Sequence, residues 1–89
     1  MGKKKTILVV DDEYGARESL KVILEPDYEI IAVESCLQAA LIIAKKAPNL
    51  ILLDISLPDK NGMEWLKELH QNEIPIPVIM VTATQTLKT

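Results

Sequence analysis

Four short apolar runs alternate along this 89-residue chain with longer stretches whose apolar positions recur every three or four residues. Ile7-Leu8-Val9-Val10, Leu50-Ile51-Leu52-Leu53 and Val78-Ile79-Met80-Val81 are apolar without interruption, and Tyr28 to Val33 is a fourth run rich in β-branched residues. Strands are therefore expected at Thr6 to Val10, Tyr28 to Val33, Leu50 to Asp54 and Val78 to Val81. Between them, a helix over Tyr14 to Leu24 places Ala16, Leu20, Ile23 and Leu24 on one face, and Pro26 with Asp27 ends it. A second helix starts after Ser35 as its cap, with Leu37, Ala40, Leu41 and Ala44 as its inner face, and closes before Pro48. The third runs from about Met63 to Gln71, with Met63, Leu66 and Leu69 inward, and Gln85 to Lys88 begins a fourth.

Strand and helix patterns that alternate from end to end, with no repeat or linker, imply βαβ units around a parallel sheet in one domain, residues 1–89. Unbroken apolarity in the first, third and fourth strands marks them as covered on both faces. The expected fold class is α/β, a flavodoxin-like doubly wound parallel sheet in the order 2-1-3-4. Ligands of such sheets bind beyond the carboxyl ends of the strands, where the strand order reverses.

Composition narrows the function classes. With 48% hydrophobic and 26% charged residues the chain is an ordinary globular domain, and a net charge of −3 argues against a nucleic-acid surface. Lys3-Lys4-Lys5 reads as a solvated lead-in to the first strand. The apolar runs are too short to span a membrane or to serve as a secretory signal, which places the expected location in the cytoplasm. The single cysteine, Cys36, reads as a small buried hydrophobe, and His70 as a solvated helix residue. Trp65 and the two tyrosines read as packing residues.

Three of the apolar runs end in oxygen: the first in Asp11-Asp12, the third in Asp54, the fourth in Thr82. Acids between a strand and a helix favour the helix N-terminus by about 0.3–1 kcal/mol each, so Asp11-Asp12-Glu13 alone is explained without a site. Asp54 is different, because no helix follows it directly. If the first and third strands are neighbours, their carboxylates converge, and like charges so placed raise one another's pKa unless a cation sits among them. Hard oxygen donors without His or Cys favour Mg²⁺, or Mn²⁺ in its place. An ion with open positions beside a carboxylate suits phosphoryl chemistry, with Asp54 as a possible nucleophile.

The stretches Lys5-Thr-Ile-Leu-Val-Val-Asp-Asp-Glu13, Leu53-Asp-Ile-Ser-Leu-Pro-Asp-Lys-Asn-Gly-Met63 and Pro77-Val-Ile-Met-Val-Thr-Ala83, in this order and spacing, closely resemble the receiver domain of bacterial two-component response regulators. The resemblance implies that Asp54 accepts a phosphoryl group from a phosphohistidine of a sensor histidine kinase. It implies that Asp12 and Asp54 ligate Mg²⁺ directly together with the main-chain carbonyl of Ser56, and that Asp11 acts through a bound water. Thr82 would bring its hydroxyl to a phosphoryl oxygen, and Ala83 would leave the site open. Pro58 and Gly62 would shape the loop after Asp54. It further implies a non-enzymatic module joined to an output domain or downstream effector, with transcription the expected output. Receiver domains continue by a strand and two helices beyond the point matching Thr89, so the fifth strand and its lysine are expected outside this chain. The fourth strand would then be an apolar edge through which the chain pairs with itself.

Two other classes compete with this reading. A pseudo-receiver would use the fold for protein interaction or dimerisation without phosphorylation. A phosphatase of the haloacid-dehalogenase type also places a nucleophilic Asp after a strand, but requires a second Asp two residues on, where this chain has Ser56.

Overall fold

The computed structural model describes residues 4–81. They form β1 (Thr6–Val10), α1 (Tyr14–Leu24), β2 (Glu29–Val33), α2 (Cys36–Lys45), β3 (Leu50–Asp54), α3 (Gly62–Gln71) and β4 (Val78–Val81). The strands make one parallel sheet in the order β2-β1-β3-β4, the expected doubly wound arrangement. Thr82, Ala83 and the helix expected over residues 85–88 lie outside the described residues.

Strand β1 runs through the middle of the sheet and is buried along its whole length. Because successive side chains alternate between faces, Leu8, Val10, Ile51 and Leu53 join Val33, Cys36, Ala39, Trp65 and Leu69 in one core beneath α2 and α3. Leu8, Ile51 and Leu53 are fully enclosed, each worth roughly 1.5–3 kcal/mol of burial. On the opposite face, α1 packs over β1 and β2. There an apolar cleft of about 370 Å³ remains between Ile7, Leu24, Tyr28, Leu50 and Leu52.

Several element ends are explained by single hydrogen bonds. Tyr28 belongs to the turn rather than to β2, because its amide donates to the Leu24 carbonyl and closes α1, so the ladder begins at Thr6 opposite Glu29. Ser35 caps α2 as expected, its side chain accepting from the Gln38 amide at 3.2 Å. Asn61 caps α3 by accepting from the amides of Met63 and Glu64. The α3 end turns through Glu73, which stands at a φ of 58° while Ile74 donates back to the Leu69 carbonyl.

The inward faces differ from the expectation in three helices. In α2 the buried residues are Cys36 and Ala39, with Ile42 and Ile43 packed beside them, while Leu37 and Leu41 are 67% and 59% exposed. This helix is apolar nearly all round, so two different stripes satisfy the helical period; the small Cys36 and Ala39 are the pair that sits against Leu8 and Val10. Ile23 on α1 and Met63 on α3 also face outward, and Trp65 takes the inner position in the first turn of α3. Tyr14 and Tyr28 are exposed rather than packed. Cys36 is buried and His70 exposed, as read from the sequence.

Candidate metal centre

Register brings the acids together. Val10 pairs with Leu53 across β1 and β3, so the residues that follow, Asp11 and Asp54, leave the sheet side by side at its carboxyl edge. Asp11, Asp12 and Asp54 each offer a carboxylate oxygen, and these oxygens lie within 4.8 Å of one another. Asp11 is buried, Asp54 half-buried and Asp12 exposed, so the group opens to solvent on one side.

Asp11 and Asp54 are each held by main chain. The Asp11 amide donates to the Val33 carbonyl at 3.0 Å, which ties the end of β1 to β2, and its carboxylate accepts from the Glu13 amide at 2.9 Å. The acid run does not serve as a helix cap: Glu13, at the cap position of α1, makes no side-chain bond to the helix, and the first turn carries no acid. The helix-start explanation thus accounts for little of the acid run. Asp54 accepts from the Ser56 amide at 3.4 Å. Its pKa is raised above the ordinary carboxylate value, first by burial and then by the charge of Asp11, with a smaller push from Asp12. The ion pairs among the described residues, Arg17–Glu34, Lys21–Glu18, Lys46–Glu29 and Lys60–Glu68, all lie off these three acids.

The donor set fits a small hard cation. Magnesium binds oxygens at about 2.0–2.1 Å, so opposite ligands stand roughly 4.2 Å apart. The three carboxylate oxygens, within 4.8 Å of one another, converge on one gap and carry the charge such an ion would neutralise.

The loop after Asp54 is folded back on itself. Ser56 bridges to Asn61, and the Gly62 amide donates to the Ile55 carbonyl at 2.7 Å. Gly62 is buried against this turn: a Cβ there would overlap the Asp54 carbonyl oxygen and stand 2.9 Å from the Cα of Ile55. Its role in shaping the loop is therefore steric. Lys60 pairs with Glu68 of α3 at 2.6 Å and fastens the far side of the turn.

Two contributors escape sequence reasoning. Arg17 reads as part of an exposed first helical turn, yet its side chain is only 12% exposed, and Nη1 donates to the main-chain carbonyl of Asp11 at 2.9 Å. It also lies 5.7 Å from the centre of the Tyr14 ring. Asp59 reads as a turn residue, but its carboxylate reaches across to the start of α2. A basic residue in the first turn of the helix that follows the strand, six places past Asp11, signals the first case; nothing local signals the second, which joins positions 23 and 22 residues apart.

Comparisons with known proteins agree with this geometry. The sequence profile described as the response regulator receiver domain matches residues 7–89. The chain is 45% identical over 82 residues to the phosphate regulon transcriptional regulatory protein PhoB of Pseudomonas aeruginosa, covering 89% of this chain and 36% of that protein. It is 38% identical over 78 residues to sporulation initiation phosphotransferase F of Bacillus subtilis, covering 86% of this chain and 63% of that one. Among solved structures, the MaeR response regulator bound to beryllium trifluoride superposes with a TM-score of 0.85 at 29% identity, over 92% of this chain and 70% of that one. The chain thus spans about a third of the PhoB sequence and under two thirds of the phosphotransferase. With its strand order, its acidic sheet edge and the profile match over nearly its whole length, this chain belongs to the response regulator receiver domain family of two-component signalling.

Proposed function

We propose that Asp54 accepts a phosphoryl group from a phosphohistidine on a sensor histidine kinase, with Mg²⁺ held by Asp12, Asp54 and the main-chain carbonyl of Ser56, and by Asp11 through a water. The observation that carries this reading is the convergence of three carboxylate oxygens from two adjacent central strands within 4.8 Å. In the step, an Asp54 carboxylate oxygen bonds to phosphorus while the P–N bond breaks, and the leaving imidazole nitrogen keeps the electron pair. Such a transfer needs positioning and charge neutralisation more than covalent assistance. The bound cation supplies the neutralisation; the chain supplies the alignment, through the paired ends of β1 and β3 and the closed turn after Asp54.

The product exchanges one carboxylate charge for about two and adds three acceptor oxygens. Thr82 supplies the hydroxyl that meets them: it follows Val81, which pairs with Asp54 across β3 and β4. Ala83 beside it keeps the approach open. Residues 1–89 act in this as one domain, as a phosphoacceptor rather than an enzyme that turns substrate over. An output at the level of transcription is proposed from the likeness to the transcriptional regulatory protein PhoB, and a cytoplasmic location is proposed with it. This chain spans 23% of the methylesterase relative from Rhizobium johnstonii, and the activity in that protein's name is not proposed for it.

Incubation with Mg²⁺ and acetyl phosphate, followed by intact mass spectrometry, tests the reading. The expected result is the gain of one phosphoryl group, lost in Asp54→Asn. A chain that keeps its fold and binds Mg²⁺ but gains no phosphoryl group from either acetyl phosphate or a kinase is a pseudo-receiver.

A further inference from the structure

Asp59 sits in the turn after β3 and places both carboxylate oxygens on the start of α2, Oδ1 accepting from the Cys36 amide at 3.1 Å and Oδ2 from the Leu37 amide at 3.0 Å. Ser35 already satisfies the third amide of that helix, that of Gln38. Of the four amides that a helix start leaves without intrahelical partners, two are thus met by a residue from a different element. Local caps exist elsewhere in this chain, as Asn61 shows for α3, so a cap borrowed from the β3–α3 turn does more than finish a helix. It fastens that turn to α2.

Leu57 packs the turn against the core, and among the described residues its remaining hydrogen bonds and ion pair lie at its base and its α3 side. Ser56 to Asn61 and Gly62 to Ile55 close the base, and Lys60 to Glu68 holds the side toward α3. Nothing else among the hydrogen bonds of the described residues ties the turn toward α2. The carboxylate is drawn down in pKa chiefly by the Cys36 and Leu37 amides, so it stays ionised across the neutral range. Its grip on a helix N-terminus is of the charge-assisted kind.

We infer that Asp59 is a positioning residue: by bridging the turn to α2 it holds the main-chain carbonyl of Ser56 at the distance from Asp11, Asp12 and Asp54 that the metal requires. This rests on the metal reading proposed above. Groups that orient metal ligands from behind commonly change affinity by about 10–100-fold when removed, and Asp59 stands one step further out, so its removal is expected to weaken binding by about tenfold or somewhat less.

The experiment compares the 89-residue chain with Asp59→Ala, Asp59→Asn and Ser35→Ala, reading Mg²⁺ affinity by calorimetry and the Ser56 amide resonance by NMR without metal. Asp59→Ala is expected to weaken Mg²⁺ binding and shift the Ser56 amide. Asp59→Asn loses the same charge but keeps an acceptor oxygen, and is expected to recover a clear part of both effects. Ser35→Ala weakens the same helix start without touching the turn, and is expected to lower the melting temperature while leaving both readouts in place. Equal effects of Asp59→Ala and Asp59→Asn on affinity, with Ser56 unmoved, reduce Asp59 to a distant charge and overturn the proposal. If the parent chain binds no Mg²⁺, the metal reading fails, and the Ser56 resonance alone decides whether the bridge positions the turn.

Discussion

Gly62 stands directly behind Asp54, its Cα so close to the Asp54 carbonyl oxygen that a side chain of any size would overlap it. The start of α3 and the end of β3 are thereby locked at one spacing. Gly62→Ala has to push the two apart, and overpacking of this kind costs about 1–3 kcal/mol. The expected result is a lowered urea midpoint at unchanged slope, with Mg²⁺ affinity reduced as well because the Asp54 main chain moves. An unchanged midpoint and affinity would mean that the turn yields without consequence.

Two carboxylates pull the pH dependence of stability in opposite directions. Asp54 is raised by burial and by its acidic neighbours, so in the metal-free chain its contribution is fully present below about pH 4, the range of an unfolded carboxylate, and is lost as pH rises through its raised value. Asp59 is lowered by the α2 amides, so its contribution is present above the unfolded value and is lost as pH falls through the lowered one. Thermal unfolding followed across pH should show Asp54→Asn abolishing part of the decline above pH 4 and Asp59→Asn abolishing part of the decline in acid. Added Mg²⁺ should raise the melting temperature of the parent at neutral pH and leave Asp54→Asn nearly unmoved.

Glu73 holds a left-handed backbone, φ 58°, where a residue with a Cβ is strained. That conformation costs about 1–2 kcal/mol for most L-residues, and glycine removes the cost. Glu73→Gly is expected to stabilise the chain by about 1 kcal/mol, measured as a rise in the urea midpoint. A fall instead would show that the freedom glycine brings to the unfolded chain outweighs the relief.

Strand β4 is the edge of the sheet among the described residues, and Ile79, in the register of Leu52, is 51% exposed on it. Such an edge pairs with another of its kind. The 89-residue chain by itself is expected to associate with increasing concentration in sedimentation velocity, and Ile79→Lys to shift it toward monomer. Monomeric behaviour of the parent at high concentration would remove the edge from consideration.

What the sequence disclosed and what it withheld separate along physical lines. Strands with unbroken apolar runs, such as Ile7 to Val10 and Leu50 to Leu53, declared their identity and central place, because strands covered on two faces take that pattern; Val78 to Val81 has it too, yet among the described residues it is an edge with Ile79 51% exposed. The acidic site was legible for the same reason: once β1 and β3 are adjacent, the residue after each must meet its neighbour. The α2 face was not, since Leu37-Ala40-Leu41-Ala44 and Cys36-Ala39-Ile43 both satisfy a helical period and only the packing chooses between them. Asp59 was hidden by distance, acting on main chain 23 and 22 residues away, and Arg17 by its place in a helical turn that reads as exposed. The expected Tyr28 start of β2 failed because one amide bond to Leu24 belongs to the preceding helix.

The single tryptophan of the chain gives the molecule an intrinsic optical probe. Trp65 opens α3, its amide bonded to the Asn61 carbonyl at the end of the acceptor turn and its indole 5% exposed against the α2 side of the core. Its emission belongs at short wavelength while the core is closed and shifts to the red when water reaches the ring, so rearrangements of the turn and loss of the fold are visible as colour and intensity in an unlabelled sample.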